Sequence, residues 1–168
     1  MAEIKSTLDL IMERTKNLTL TEEEKKALEA KERKARIKGW CRRYLDGTLS
    51  IADLQENMAR EEATAEAAAM LREECLSHIN PEKDNRPLFL LLREVLSIPT
   101  TDLERLERDY HEELDRHRAA AGQEAIAILA SRGISGSAVL PNPKLSPHWQ
   151  ERVEAARQIF QQRLYLVK

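Results

Sequence analysis

Glu107, His111 and Asp115 stand four residues apart, so any helix that carries them stacks all three on one face. Carboxylates and imidazoles so placed are the donors from which helical bundles assemble metal centres. A carboxylate/histidine metal-binding bundle enzyme is therefore one reading of the chain. The spacing argues against it. Such centres use a glutamate with a histidine three residues on, and Glu-x-x-His occurs nowhere in this sequence. His111-Glu112-Glu113-Leu114-Asp115 starts like a zinc-protease helix, but Asp115 occupies the place of the second histidine. The expectation here is a solvated flank of salt bridges, with Glu113 and His117 as a further pair, and no metal or other cofactor.

A second chemistry is electrostatic. Residues 31–43 carry seven cations, among them Lys34, Arg36, Lys38, Arg42 and Arg43, against the single acid Glu32, with Trp40 and Tyr44 close by. Cations that line phosphates beside rings that stack bases are the ingredients of a nucleic-acid surface. A competing use lies nearby in the chain, because residues 53–74 hold seven acids against Arg60 and Arg72. The turn at 47–49 is short, and short connections join antiparallel neighbours, so positions summing to about 96 should meet. Arg33 and Arg36 then lie beside Glu61 and Glu62, and Trp40, in phase with Ile37 and Tyr44, becomes a core residue. This charge-paired hairpin is the favoured reading, with nucleic acid the lesser candidate among partners.

Cys41 has Lys38, Arg42 and Arg43 around it, which could favour a thiolate. It is nonetheless in phase with Ile37 and Leu45, and no histidine lies near in sequence to act as its base. Cys75, beside Leu71, Leu76 and Ile79, reads in the same way, and the two fit inert, reduced core thiols of a cytoplasmic protein. His117 falls on an apolar stripe and is expected as a hydrogen-bonded interior imidazole. The glycines and serines of 133–146 could form an anion-binding nest, but they lack the spacings of nucleotide-binding loops. Ile134, Val139 and Leu140 mark that segment as an ordered loop fastened to the body of the protein.

The elements that must position these residues are helices. Alanine, leucine, glutamate, lysine and arginine make up more than half of the chain, beside five glycines and four valines. Ser6…Asp9, Thr21…Glu24, Ser50…Asp53 and Thr101…Glu104 each pair a hydroxyl with an acid three positions later, the pattern of a capping box. Ser146-Pro147 adds a cap followed by proline, and Gly47, Asn80-Pro81, Pro99 and Gly133 supply stops. These signals divide the chain into about six helices, over 4–16, 22–46, 51–79, 86–97, 102–132 and 147–166. The fourth reads Leu88-Phe89-Leu90-Leu91-Leu92, and a helix apolar on every side is a buried, central one. The fifth carries Leu103, Leu106, Tyr110, Leu114, His117, Ala121, Ala125 and Ile128 with an eleven-residue stride, which keeps an apolar stripe nearly straight.

The segments 51–79 and 102–132 would each be roughly 45 Å long, as long as a 168-residue globule is wide. The fold class expected is thus all-α: an elongated, coiled-coil-like bundle of one domain over 1–168, with a possible N-terminal arm at 1–20. Some apolar stripe should extend beyond the chain's own core, and a second copy is the simplest cover for it.

Ala2-Glu3-Ile4-Lys5-Ser6-Thr7-Leu8-Asp9-Leu10-Ile11-Met12-Glu13 and Arg43-Tyr44-Leu45-Asp46-Gly47 resemble small bacterial helical proteins of unassigned function. The resemblance covers the first third of the chain. It implies a helical fold and a bacterial source, and it supplies neither an activity nor a site.

Charge excludes some classes. With 29 acids, 27 bases and a net charge of −2, the chain is neither a bulk polycation nor an acidic tail protein. No apolar run exceeds six residues (125–130, with 88–92 next), so no membrane span is expected. The start lacks the basic head and apolar middle of a signal peptide. The sequence reading is a cytoplasmic, non-enzymatic, self-associating helical interaction or scaffold protein, a homo-oligomer with an unidentified protein partner. Its rivals are the nucleic-acid-binding and metal-enzyme readings.

Overall fold

The computed structural model describes residues 21–167. The first segment (4–16), its Ser6…Asp9 cap and the arm 1–20 lie outside the described residues. The described residues form six α-helices: α1 (Glu22–Leu45), α2 (Ile51–Ala59), α3 (Thr64–His78), α4 (Arg86–Glu94), α5 (Thr101–Ser131) and α6 (Trp149–Val167). A 3-10 turn, Pro143–Leu145, precedes α6.

Two of the capping boxes form as the sequence implies. The Thr21 hydroxyl accepts from the Glu24 amide while the Glu24 carboxylate accepts from the Thr21 amide, and Ser50 and Asp53 do the same for α2. Thr101…Glu104 does not. Thr100 is the N-cap of α5 without a side-chain cap bond, and its hydroxyl donates to the Glu104 carboxylate at 2.7 Å.

The continuous helix expected over 51–79 is broken at 60–63, and the reason lies in phase. Leu54 and Met58 are buried on α2, and Ala67, Leu71 and Cys75 on α3. The nine residues from Met58 to Ala67 are about two and a half turns of a straight helix, which would set the two groups on opposite sides. Breaking the helix turns both toward one core. The Arg60 amide closes α2 on the Glu56 carbonyl, and α3 restarts from Ala63 without a side-chain cap.

The break changes the topology. α2 returns antiparallel to α1, with the Thr48 and Leu49 amides donating to the Arg43 carbonyl at the turn and Glu61 reaching Arg36 at the far end. The expected hairpin is present but short. α3 then runs parallel to α1, because contacts advance together along both helices: Arg33 with Glu66 at 2.7 Å, Lys34 with Glu73 at 3.8 Å, then Lys38 with Glu74 at 3.9 Å.

α6 lies antiparallel to α3, joined by Arg72 to the Val167 carbonyl at 3.3 Å and Arg157 to Glu82 at 2.6 Å. It is also antiparallel to α5, through Arg163 to Asp109 at 3.3 Å and Arg152 to Glu124 at 2.6 Å. α4 contributes Leu88, Phe89, Leu91 and Leu92 to the core, while Leu90 faces outward.

One apolar cluster joins Ile37, Leu54, Leu71, Leu91, Leu103 and Phe160, and the Tyr110 and Phe160 rings meet edge to face at 5.6 Å. It ends partway along α5. Further on, Ala121, Gly122 and Ala125 are buried outside that cluster, and Gly122 faces Pro141 of the returning loop. α5 and α6 therefore extend past the core as a paired arm. Within the loop 133–146 Val139 is half-buried while Ile134 and Leu140 are exposed, and Pro141 and the buried Ser146 add to the attachment.

Candidate interaction surface

Glu107, His111 and Asp115 share a helix without forming a centre. Glu107 accepts from the buried Asn85 side chain at 2.8 Å, and Asp115 pairs with Arg118 at 2.8 Å. Exposed His111 meets the Tyr110 ring edge-on at 5.6 Å. Among the described residues no three metal-ligating side chains come together. Glu113 and His117 do pair, at 3.2 Å, with His117 half-buried rather than interior.

The basic run meets acids along much of its length. Arg33 contacts Glu61 and Glu66, Arg36 binds Glu61, Lys34 lies 3.8 Å from Glu73, and Arg42 lies 3.9 Å from Asp46. The expected partner Glu61 is correct. For Glu62, predicted beside it, the contact falls instead to Glu66, because the break lets α3 pass alongside Arg33. Arg43 lies near Asp53, whose carboxyl is held below its ordinary range by the Ser50 hydrogen bonds, with the arginine adding to them. Trp40 and Tyr44 pack on the core, and the Tyr44 hydroxyl donates to the Pro87 carbonyl at 3.1 Å. Neither ring is presented as a platform for bases.

What the sequence did not single out is the outer side of α6. Its inner side follows Ala156, Phe160 and Leu164 into the core. Ile159, Gln162 and Leu166 follow the same helical period on another side. Ile159 is 50% and Leu166 83% exposed, with Tyr165 at 73% beside them. The readable signal was phase, since these residues fall outside the stripe that carries Phe160.

Ile159 also borders a groove of about 340 Å³ between α5 and α6. Leu106, Tyr110, Ala156 and Phe160 line it, with the charged groups Asp109, Glu112, Glu113, Arg116 and Arg163. The ion pairs Asp109–Arg163 and Glu113–Arg116 (2.9 Å) lie among these groups. Tyr110 is anchored there by Glu82, and burial with the Glu82 charge pushes its phenol above the ordinary value. An apolar lining with charged groups is suited to a partner's apolar side chain and offers no nucleophile-base pair.

No helix among the described residues is long and apolar enough to cross a membrane. No family model, curated protein or solved structure matches the chain.

Proposed function

We propose that this protein acts by association: a non-enzymatic, self-associating helical interaction protein of the cytoplasm whose contact surface is the outer side of α6. The observation that carries the reading is the set of Ile159, Tyr165 and Leu166, large apolar residues half or more exposed on one helix, beside a groove lined by apolar and charged residues. Contiguous apolar patches with polar surroundings mark contact surfaces more often than isolated exposed residues do. A second copy is the economical occupant. A two-fold axis across α6 brings Ile159 and Leu166 of each chain onto the other, so one surface satisfies itself. Light scattering across a concentration series tests this. A dimer or larger species dissociated by Ile159→Asp/Leu166→Asp is expected, and a monomer at every concentration overturns it.

A second reading, nucleic-acid binding by the basic run, draws support from Lys34, Lys38 and Arg42, whose side chains remain 61%, 67% and 81% exposed despite their acidic neighbours. Duplex and single-strand titrations at two salt concentrations separate the readings. Four or five phosphate contacts would make affinity fall with roughly the fourth power of salt.

A further inference from the structure

Acids make up 29 of the 168 residues, yet none stands between Glu124 and Glu151. That acid-free stretch is the outer end of the paired arm: the last turns of α5, the connection 132–148 and the start of α6. The acids at its two borders are already engaged, Glu124 by Ser146 and Arg152, and Glu151 by His148 at 3.6 Å. Arg132 and Lys144 are exposed within it, and neither side chain has an ion pair among the described residues. The same end holds apolar side chains in water. Leu140 is 90% and Ile134 50% exposed, and Ile126 and Leu145 are exposed as well. The backbone that carries them is fixed at both ends. Gly133, at φ 78°, lets the Ile134 amide donate to the Leu129 carbonyl at 3.0 Å, and Pro141 packs against Gly122.

We propose that the outer end of this arm docks on an anionic lipid surface, with Leu140 and Ile134 entering the headgroup–acyl boundary and Arg132 and Lys144 meeting lipid phosphates. A bilayer face satisfies both halves of the surface at once. Apolar side chains settle about 5–10 Å into the boundary region, and anionic headgroups attract the cations beside them. The charge pattern separates this occupant from others. A two-fold contact between copies would set Arg132 and Lys144 of one chain near those of the other, with no acid between them. A nucleic acid would take the cations but leave Leu140 and Ile134 in water. The apolar residues proposed above for self-association, Ile159 to Leu166, stand toward the other end of α6, where Arg72 of α3 reaches the Val167 carbonyl. The two surfaces share no residue.

The test is co-sedimentation of the full-length protein with vesicles, one set of phosphatidylcholine alone and one of phosphatidylcholine and phosphatidylglycerol in equal parts, at low and high salt. Binding to the mixed vesicles that weakens as salt rises is expected. Leu140→Asp should weaken it at least about tenfold, by removing inserted apolar surface and adding an anion. Arg132→Glu/Lys144→Glu should weaken it to a similar degree. Both changes are at exposed positions, so the melting temperatures should match the parent's. Leu140→Trp should add a blue-shifted emission component on mixed vesicles that the parent lacks. No sedimentation with either vesicle, equal sedimentation with both, or variants that sediment as the parent does would each overturn the proposal. Variants that change the oligomeric state of a protein that binds no vesicle would overturn it in favour of a second copy.

Discussion

Arg36 grips Glu61 with two parallel hydrogen bonds, Nε to Oε1 at 3.1 Å and Nη2 to Oε2 at 3.2 Å. The acceptor stands at the break between α2 and α3, and Arg33 approaches the same carboxylate at 3.5 Å. The Glu61 side chain is only 9% exposed, so the triad sits nearer a buried network than a surface pair.

Arg33→Glu/Arg36→Glu should therefore destabilise the fold by about 2–3 kcal/mol, because Glu61 is left among like charges with little water. Adding Glu61→Arg should restore part of that loss. Urea denaturation of the three proteins measures both. Equal stability of the double variant and the parent would show that the triad does not hold the break.

Glu124 ties the arm together, accepting from the buried Ser146 hydroxyl and from Arg152. The Ser146 hydrogen bond first, and then Arg152, hold its carboxyl below the ordinary range. A depressed carboxylate contributes stability above its unfolded pKa and loses it as pH falls through the folded value. Glu124→Gln should thus melt below the parent at neutral pH, with the gap closing on acidification through the carboxylate range. Melting curves over a pH series check the sign, and a gap that widens in acid would contradict it.

Leu91 and Leu90 are neighbours with opposite surroundings, one fully buried and the other 37% exposed. Leu91→Ala should cost about 2–5 kcal/mol through lost burial and a residual cavity. Leu90→Ala should cost less than about 1 kcal/mol. Denaturation midpoints at constant m-value make the comparison, and similar losses at both positions would mean that Leu90 is covered, for instance by a second copy.

Gly47 and Ser97 both take positive φ, at 72° and 53°. At Gly47 an added Cβ meets nothing within 4 Å, so Gly47→Ala carries only the backbone penalty, about 1 kcal/mol. At Ser97, where the turn lets the Ile98 amide donate to the Leu92 carbonyl at 2.9 Å, glycine removes that penalty. Ser97→Gly should stabilise by roughly 0.5–1 kcal/mol. Thermal melts of the two variants should move in opposite directions.

The helix starts at Thr21 and Ser50 were legible because capping is local: one hydroxyl, one acid and three residues decide it. The charge pairing of Arg33 and Arg36 with Glu61 was also legible, since opposite charge and a short turn constrain it. The break at 60–63 was present in the sequence as a half-turn slip between Met58 and Ala67, but the alanine- and glutamate-rich run 59–69 favours helix by composition and conceals it. The separation of Glu107 from Asp115 was not readable, because it depends on Asn85 arriving from another element. The same holds for the contact of Arg33 with Glu66, which needs α3 to run parallel to α1.

That parallel course has a consequence in the helix macrodipoles. The pairing of Lys38 with Glu74 brings the C-terminal ends of α1 and α3 within about a turn of each other, so two negative helix poles, each worth about half a negative charge, lie side by side. Arg42 and Arg43 in the last turn of α1 and His78 in the last turn of α3 place positive or protonatable groups there. α2 starts from the same end, which brings its positive pole toward the two negative ones. A single long helix in place of α2 and α3 would run antiparallel to α1, with opposite poles together and no repulsion to relieve. The broken chain accepts that repulsion and offsets it with these cations and with α2.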